Sequence, residues 1–364
     1  MPYRRKVMIS RDNFRSIDPY VPGDQPKFKD MVKLNTNENP YPPSPLAMRA
    51  AEEFDCESLK LYPPTDGGRL REEIAGYHGV SKDNVFVGVG SDDVISVIFQ
   101  SLFASGRPIL FANISYSFYE VWADMYRVPY HKIPLNKDFT LNVSDYTGTS
   151  AQGNGGVIIC NPNAPTAIAL KASEVEEIIK ANPTSPVVVD EAYIDFGGES
   201  VLPLVSRYDN LVVVRTFSKS RSMAGLRIGY AVADAAIIKA LNDVKNSVNS
   251  YTLNRTSIEF GAAILADEEY FRKTCDKIID SRNVLVSELA KLGFRTLPSS
   301  ANFVFTTHEH IPAKMIYDAL KLKHIYVRFF DKPLINNYLR ISVGTDEQIG
   351  ILIKELMNIT QKVM

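Results

Sequence analysis

The rhythm of apolar and polar positions changes twice along this 364-residue chain. Up to residue 45 there is no period, and prolines at 2, 19, 22, 26, 40, 42, 43 and 45 exclude a long helix. Residues 1–45 therefore read as an arm lying on a surface. From about residue 46, short apolar runs alternate with helical patterns. The runs are Val85–Val89, Pro108–Ala112, Val157–Cys160, Pro186–Val189 and Leu211–Val214. Helical candidates between them include Asp92–Phe103 and Ser173–Lys180, the latter with Val175, Ile178 and Ile179 on one face. Such alternation predicts an α/β domain over 46–250, a mostly parallel or mixed sheet between helix layers. Over 251–364 the order differs. A long helical stretch near 257–292 leads to strands Phe294–Leu297, Ala301–Thr306, Ile325–Phe329 and Tyr338–Ser342. A closing helix comes last, with Thr345 as its N-cap and Asp346 and Glu347 in its first turn. This predicts a smaller α+β domain.

The polar residues at the end of each run in the larger domain matter more than the runs themselves. Val85–Val89 is followed by Gly90-Ser91-Asp92 and a helix, and Val157–Cys160 by Asn161-Pro162-Asn163. Asp190 and Tyr193 come after the next run, and Ser218 and Lys219 after the one beyond it. In a parallel sheet the carboxyl ends of the strands form one edge, where ligands bind. Taken singly, each residue has an ordinary structural reading as a cap, turn or surface residue. Together they suit an anionic heterocycle attached to a lysine.

A lysine amine forms a Schiff base with an aldehyde when its surroundings lower its pKa. Pyridoxal 5'-phosphate also needs an acid partner at its ring nitrogen, donors at its phenolic oxygen and a phosphate cradle. Asp190 suits the first role, and Asn161 and Tyr193 the second. Ser218, Arg227 and the backbone amides at Ser91-Asp92 suit the third. Lys219 would anchor the cofactor and then shuttle a proton. Catalysis is thus expected of Lys219, Asp190 and Tyr193.

The stretches "LNTNENPYPPSP" (34–45), "LYPPTDGGRLREEIA" (61–75), "NPNAPT" (161–166), "VVVDEAYIDF" (187–196), "RTFSKSRSMAGLRIGY" (215–230) and "YLRISVGT" (338–345) make the resemblance specific. The chain resembles the fold-type I pyridoxal-phosphate aminotransferases, and within them the histidinol-phosphate aminotransferase family, in order and over nearly its whole length. The resemblance implies a seven-stranded, mostly parallel sheet and transfer of an amino group from glutamate to imidazole-acetol phosphate. It implies that Tyr116 stacks on the cofactor ring. It also implies that Tyr62 reaches the cofactor phosphate of a neighbouring subunit, hence a homodimer with shared sites. Arg340 would bind the carboxylate of the amino donor. Arg328 and Tyr20 would help hold the substrate's phosphate, and Asn161 would border the substrate as well as the cofactor. The family's Asn-Pro-Asn-Asn-Pro-Thr-Gly loop stands here with Ala164 and Ala167, and Ile114 replaces a frequent proline. Alanine resists positive φ, so the turn at Ala167 is expected to change.

Composition narrows the partners. Lysine plus arginine total 41 against 42 acidic residues, which argues against broad binding to nucleic acid or anionic membrane. The basic cluster Arg4-Arg5-Lys6 reads as a solvated tail. Cys56, Cys160 and Cys275 are too scattered for a disulfide framework or a metal site, which suggests a reducing, cytoplasmic setting. No run is long enough to span a bilayer, and the N-terminus lacks the apolar core of a signal peptide. The five histidines sit in no motif, and His308 with His310 reads as a solvated loop pair. Arg215 has no assigned role beyond a structural one. An aromatic aminotransferase or a phosphothreonine decarboxylase of the same fold would share the cofactor residues and differ around Arg328, Arg340 and Tyr20.

Overall fold

A computed structural model describes residues 10–28 and 30–363, so Arg4, Arg5 and Lys6 lie outside the described residues. All five expected runs form strands of one sheet, whose order is 85–88, 229–233, 211–216, 187–190, 156–160, 109–112 and 130–133. Strand Gly229–Ala233 is antiparallel to both neighbours, and the other pairs are parallel. The central strands are apolar throughout because both faces are covered. Val188, Val212 and Val214 pack in one core with Val94, Ile95 and Ile98 of helix Gly90–Leu102. Val187, Val189 and Val213 turn the other way, into a core with Val175, Ile178 and Ile179 of helix Ala172–Ala181.

Two strands escape the sequence pattern. Tyr130–Ile133 is an edge strand with His131 and Lys132 exposed, and Gly229–Ala233 comes directly after the polar stretch that ends at Arg227. The long helix expected near 257–292 is two, Arg255–Leu265 and Glu268–Lys291. Between them Asp267 caps the second by accepting the Tyr270 amide at 3.3 Å.

The second sheet is antiparallel, in the order 328–329, 339–342, 303–308, 294–296. Its register sets Arg328 opposite Arg340. Thr345 caps the closing helix as expected, accepting from the Gln348 amide at 3.3 Å while Gln348 Oε1 accepts the Thr345 amide at 3.0 Å. His308 departs from expectation. It is buried in strand Phe303–His308, where Nδ1 accepts the amides of His310 and Ile311, each at 3.0 Å, and Nε2 donates to the Leu292 carbonyl at 2.9 Å.

Residues 32–37 also depart from the surface arm. Val32–Lys33 pairs in parallel with Ile325–Tyr326, and Leu34 accepts the Ser342 amide at 2.9 Å. Leu34, Asn35 and Asn37 are each 1% exposed. The prolines on either side hide a segment whose backbone bonds are taken up by the interior. No helix among the described residues is long and apolar enough to cross a membrane.

The loop at 161–167 keeps its turn despite losing glycine. Ala167 takes a φ of 68°, with its amide donating to the Asn163 carbonyl at 2.7 Å and its carbonyl accepting from Ser300 at 2.9 Å. The left-handed region costs an alanine about 1–2 kcal/mol. Replacement by glycine gives back part of that in a looser unfolded chain. Ala167→Gly is therefore expected to stabilise the protein by about 0.5–1 kcal/mol in chemical denaturation; unchanged or lower stability would show that the turn is unstrained.

Candidate active site

At the carboxyl edge of the large sheet lies a cavity of about 130 Å³, lined by Ser91, Asp92, Tyr116, Asp190, Tyr193, Ser218, Lys219, Arg227 and Arg340, with Tyr20 at its rim. The sheet brings most of these together because strands 187–190 and 211–216 end side by side, and strand 85–88 ends one strand further on, across Gly229–Ala233.

Asp190 closes one end. It is 3% exposed, and its carboxylate accepts the Tyr119 hydroxyl at 2.8 Å and the Ala192 amide at 3.2 Å. Burial outweighs these donors and pushes its pKa up to about 6. Lys219 faces the same space and donates Nζ to the Thr36 carbonyl at 3.1 Å. Burial, then the positive charge of Arg340, brings its ammonium down to about 8 against the pull of Asp92 and Glu38. One dry cavity thus moves an acid and a base toward each other.

At the other end the backbone makes a cradle. Gly90, at φ 81°, opens helix Gly90–Leu102, and a Cβ there would stand 2.5 Å from the Arg227 guanidinium. Gly229 lets the neighbouring strand approach equally closely, since its Cβ would meet the Gly90 carbonyl carbon at 2.2 Å. Arg227, held at φ 53°, donates to Ser218 Oγ at 3.3 Å and to Asp92 at 3.2 Å. A helix N-terminus, a hydroxyl and a half-exposed guanidinium form an anion site. Tyr116 donates to Asp92 at 2.8 Å, which fixes its ring against the cavity.

The chemistry of the donor set sharpens what the cavity can hold. It offers a carboxylate, an amine near neutrality, a phosphate cradle and a buried arginine along one line of strand ends. A scan of known families matches residues 29–356 to aminotransferase class I and II. Histidinol-phosphate aminotransferase of Acinetobacter baumannii strain SDF is 49% identical over 345 residues, covering 94% of each chain. The chain belongs to the histidinol-phosphate aminotransferase family. The same-named protein of Lactococcus lactis subsp. cremoris strain SK11 is 48% identical over 349 residues, covering 96% of this chain and 97% of its own. In fold, the chain matches histidinol-phosphate aminotransferase from Sinorhizobium meliloti, solved in complex with pyridoxal-5'-phosphate. That match has a TM-score of 0.83 at 24% identity and covers 91% of each chain.

The remaining expected residues of this aminotransferase fall in different places. Arg340 lines the cavity, donates to the Asn35 carbonyl at 2.9 Å and keeps a buried Nε without a partner. Arg328 lies in an adjoining cavity of about 440 Å³ with Lys132, Lys332 and Tyr20. It donates to the Val21 and Pro22 carbonyls at 2.8 and 3.0 Å, and Tyr20 stacks on Phe118 with centroids 4.3 Å apart. Tyr62 is outside both cavities, 77% exposed and stacked on Tyr251.

Asn161 is engaged within its own loop. Its amide is closed on Leu170, donating to that carbonyl at 3.2 Å and accepting that amide at 2.8 Å, and it lies outside the cavity lining. Ala164 lines the cavity instead. Oδ1 and one N–H of Asn161 turn the loop, and the second N–H of Nδ2 is left over.

Sequence reasoning missed Thr36 and Asn37, which touch Lys219 and Tyr193, and Tyr119, which holds Asp190. Tyr119 stands one turn beyond Tyr116, and that spacing on a short helix was the available signal. Arg215 now has a partner set. Its guanidinium donates to Glu191 at 2.9 Å, Asp195 at 3.0 Å and Ser200 at 2.8 Å.

The raised Asp190 pKa sets a pH dependence for the cofactor-free protein. The folded carboxyl holds its proton up to about 6, whereas an ordinary one ionises near 3.8. Its contribution to stability is full below 3.8 and is lost as the pH rises through about 6. Denaturation of the cofactor-free protein across this window should show a decline that Asp190→Asn flattens. An identical profile in the variant would show that the carboxyl ionises normally.

Proposed function

We propose that the cavity takes pyridoxal 5'-phosphate and that the enzyme moves an amino group from glutamate to imidazole-acetol phosphate. The products are 2-oxoglutarate and histidinol phosphate, and the reaction is reversible. The observation that carries this reading is Asp190 and Lys219 facing one cavity that also includes the Gly90–Arg227 cradle. When bound, the cofactor supplies an aldehyde carbon for the amine and a ring that accepts electrons from the substrate's α carbon.

The protein's own groups divide the remaining work. Arg227, Ser218 and the amides at Ser91 and Asp92 would hold the phosphate at the helix N-terminus. Asp190 pairs with the ring nitrogen, and a positive partner there returns its carboxyl to the charged form. Tyr193 donates to the phenolic oxygen, and Tyr116 covers the ring. Lys219 holds the aldehyde carbon and, once displaced, moves a proton at the substrate's α carbon. A pKa of about 8 leaves the amine able both to take and to return it.

Arg340 meets the donor's carboxylate with its unpartnered Nε. Arg328 and Tyr20, in the adjoining cavity with Lys132 and Lys332, meet the acceptor's phosphate. Tyr62 points away from its own cavity, which supports a homodimer in which it completes a partner's site. Three free cysteines accord with a cytoplasmic enzyme.

Glutamate added to the loaded enzyme should bleach the visible band of the lysine-linked cofactor and release 2-oxoglutarate. Lys219→Ala should lower turnover about a thousandfold or more while leaving the fold intact. Histidinol phosphate should outcompete phenylalanine as amino donor in the reverse direction. A persistent band, retained turnover in the variant, or a preference for phenylalanine would each contradict the corresponding part of this reading.

A further inference from the structure

The loop after strand Gly156–Cys160 spends its amides on itself. Asn161 closes on Leu170, and Asn163 donates to the Ile114 carbonyl and to Thr166 Oγ1, each at 2.9 Å. Facing the cavity from this loop is the methyl group of Ala164. Beyond these bonds Asn161 Nδ2 keeps one N–H, and the cavity lining adds the Tyr193 hydroxyl as a donor toward the cofactor's phenolic oxygen.

A tyrosine hydroxyl turns freely about its C–O bond, so its value as a donor depends on what fixes its proton. Asn37 is its one hydrogen-bond partner among the described residues, and Asn37 Nδ2 donates to Tyr193 Oη at 3.1 Å. That bond occupies the acceptor side of the hydroxyl and leaves its proton for the cavity.

Asn37 is itself held firmly. Ser342 Oγ donates to Asn37 Oδ1 at 3.1 Å and accepts the Asn37 amide at 2.9 Å. Asn302 Nδ2 donates to the Asn37 carbonyl at 2.9 Å. The backbone of Asn37 sits at φ 56°, a left-handed conformation that its surroundings must enforce. Asn37 and Ser342 are 1% and 3% exposed. The bonds Ser342 to Asn37 to Tyr193 all run in one direction, and in a dry setting each strengthens the next.

We propose that Asn37 is a positioning residue that aims the Tyr193 hydroxyl proton into the cavity, toward the cofactor's phenolic oxygen. The proposal rests on the pyridoxal-phosphate reading above. It ties the donor to strand Leu339–Ser342, which also carries Arg340.

A donor at the phenolic oxygen stabilises its anionic form, in which the nitrogen linking Lys219 to the cofactor has lost its proton. Removing the donor therefore raises the pH at which that nitrogen titrates. The loaded enzyme is titrated while the absorbance of the lysine-linked cofactor is monitored. Tyr193→Phe should raise the midpoint by about one pH unit and Asn37→Ala by about half a unit. In the Tyr193→Phe background, Asn37→Ala should add nothing. Ser342→Ala should act in the same direction more weakly, and it decides on the same criterion if Asn37→Ala does not fold.

An unmoved midpoint in Asn37→Ala, or an equal shift with and without the Tyr193 hydroxyl, overturns the proposal while leaving the cofactor reading intact. The absence of any visible band dependent on Lys219 overturns both.

Discussion

Arg215 stands behind the cavity with its guanidinium bonded to Glu191, Asp195 and Ser200. Glu191 is the residue after Asp190, and Asp195 also accepts the Ser220 hydroxyl at 2.6 Å, next to Lys219. One buried cation therefore ties together the ends of the two strands that deliver the acid and the amine. Burial works against the Arg215 charge and against that of Glu191, while their mutual attraction and Asp195 keep the guanidinium protonated. Such a pair adds little net stability compared with apolar residues of the same size, but breaking it strands a charge in the interior. Its value here is directional, since it fixes where Asp190 and Lys219 point.

The same burial has opposite effects on those two groups. It raises the carboxyl and lowers the ammonium, because in each case it penalises the charged form. Burial in the cavity thus favours a neutral acid and a more readily neutral amine. A cofactor with a basic ring nitrogen and a phosphate supplies what is missing at each end: a cation for Asp190 and an anion for Arg227. The site is complementary to a charge pattern as well as to a shape, and much of its preorganisation lies in strand ends and a helix N-terminus rather than in mobile loops.

The central strands could be read from the sequence because burial on both faces removes every polar residue from them, and a polar residue at their ends is then conspicuous. That logic located Asp190, Ser218 and Lys219. It failed at Tyr130–Ile133, whose edge position allows exposed His131 and Lys132, and at residues 32–37, whose burial depends on partners three hundred residues away. It also gave no sign that Ala164 lines the cavity. Which residue of a tight loop faces a cavity is decided by how the loop closes its own hydrogen bonds, and that leaves no periodic trace. Asn37 escaped for a related reason: its role comes from donating to one hydroxyl, inside a stretch otherwise noted only for its resemblance to the family.

In the proposed reading, cofactor chemistry in this cavity depends on Asp190 acting as an ionised partner that keeps the ring nitrogen protonated. The most direct test is the ¹⁵N chemical shift of ring-labelled pyridoxal phosphate bound to the enzyme at neutral pH. The shift of a protonated pyridine nitrogen, lost in Asp190→Asn, is the predicted result. The shift of an unprotonated nitrogen in the native enzyme would contradict it.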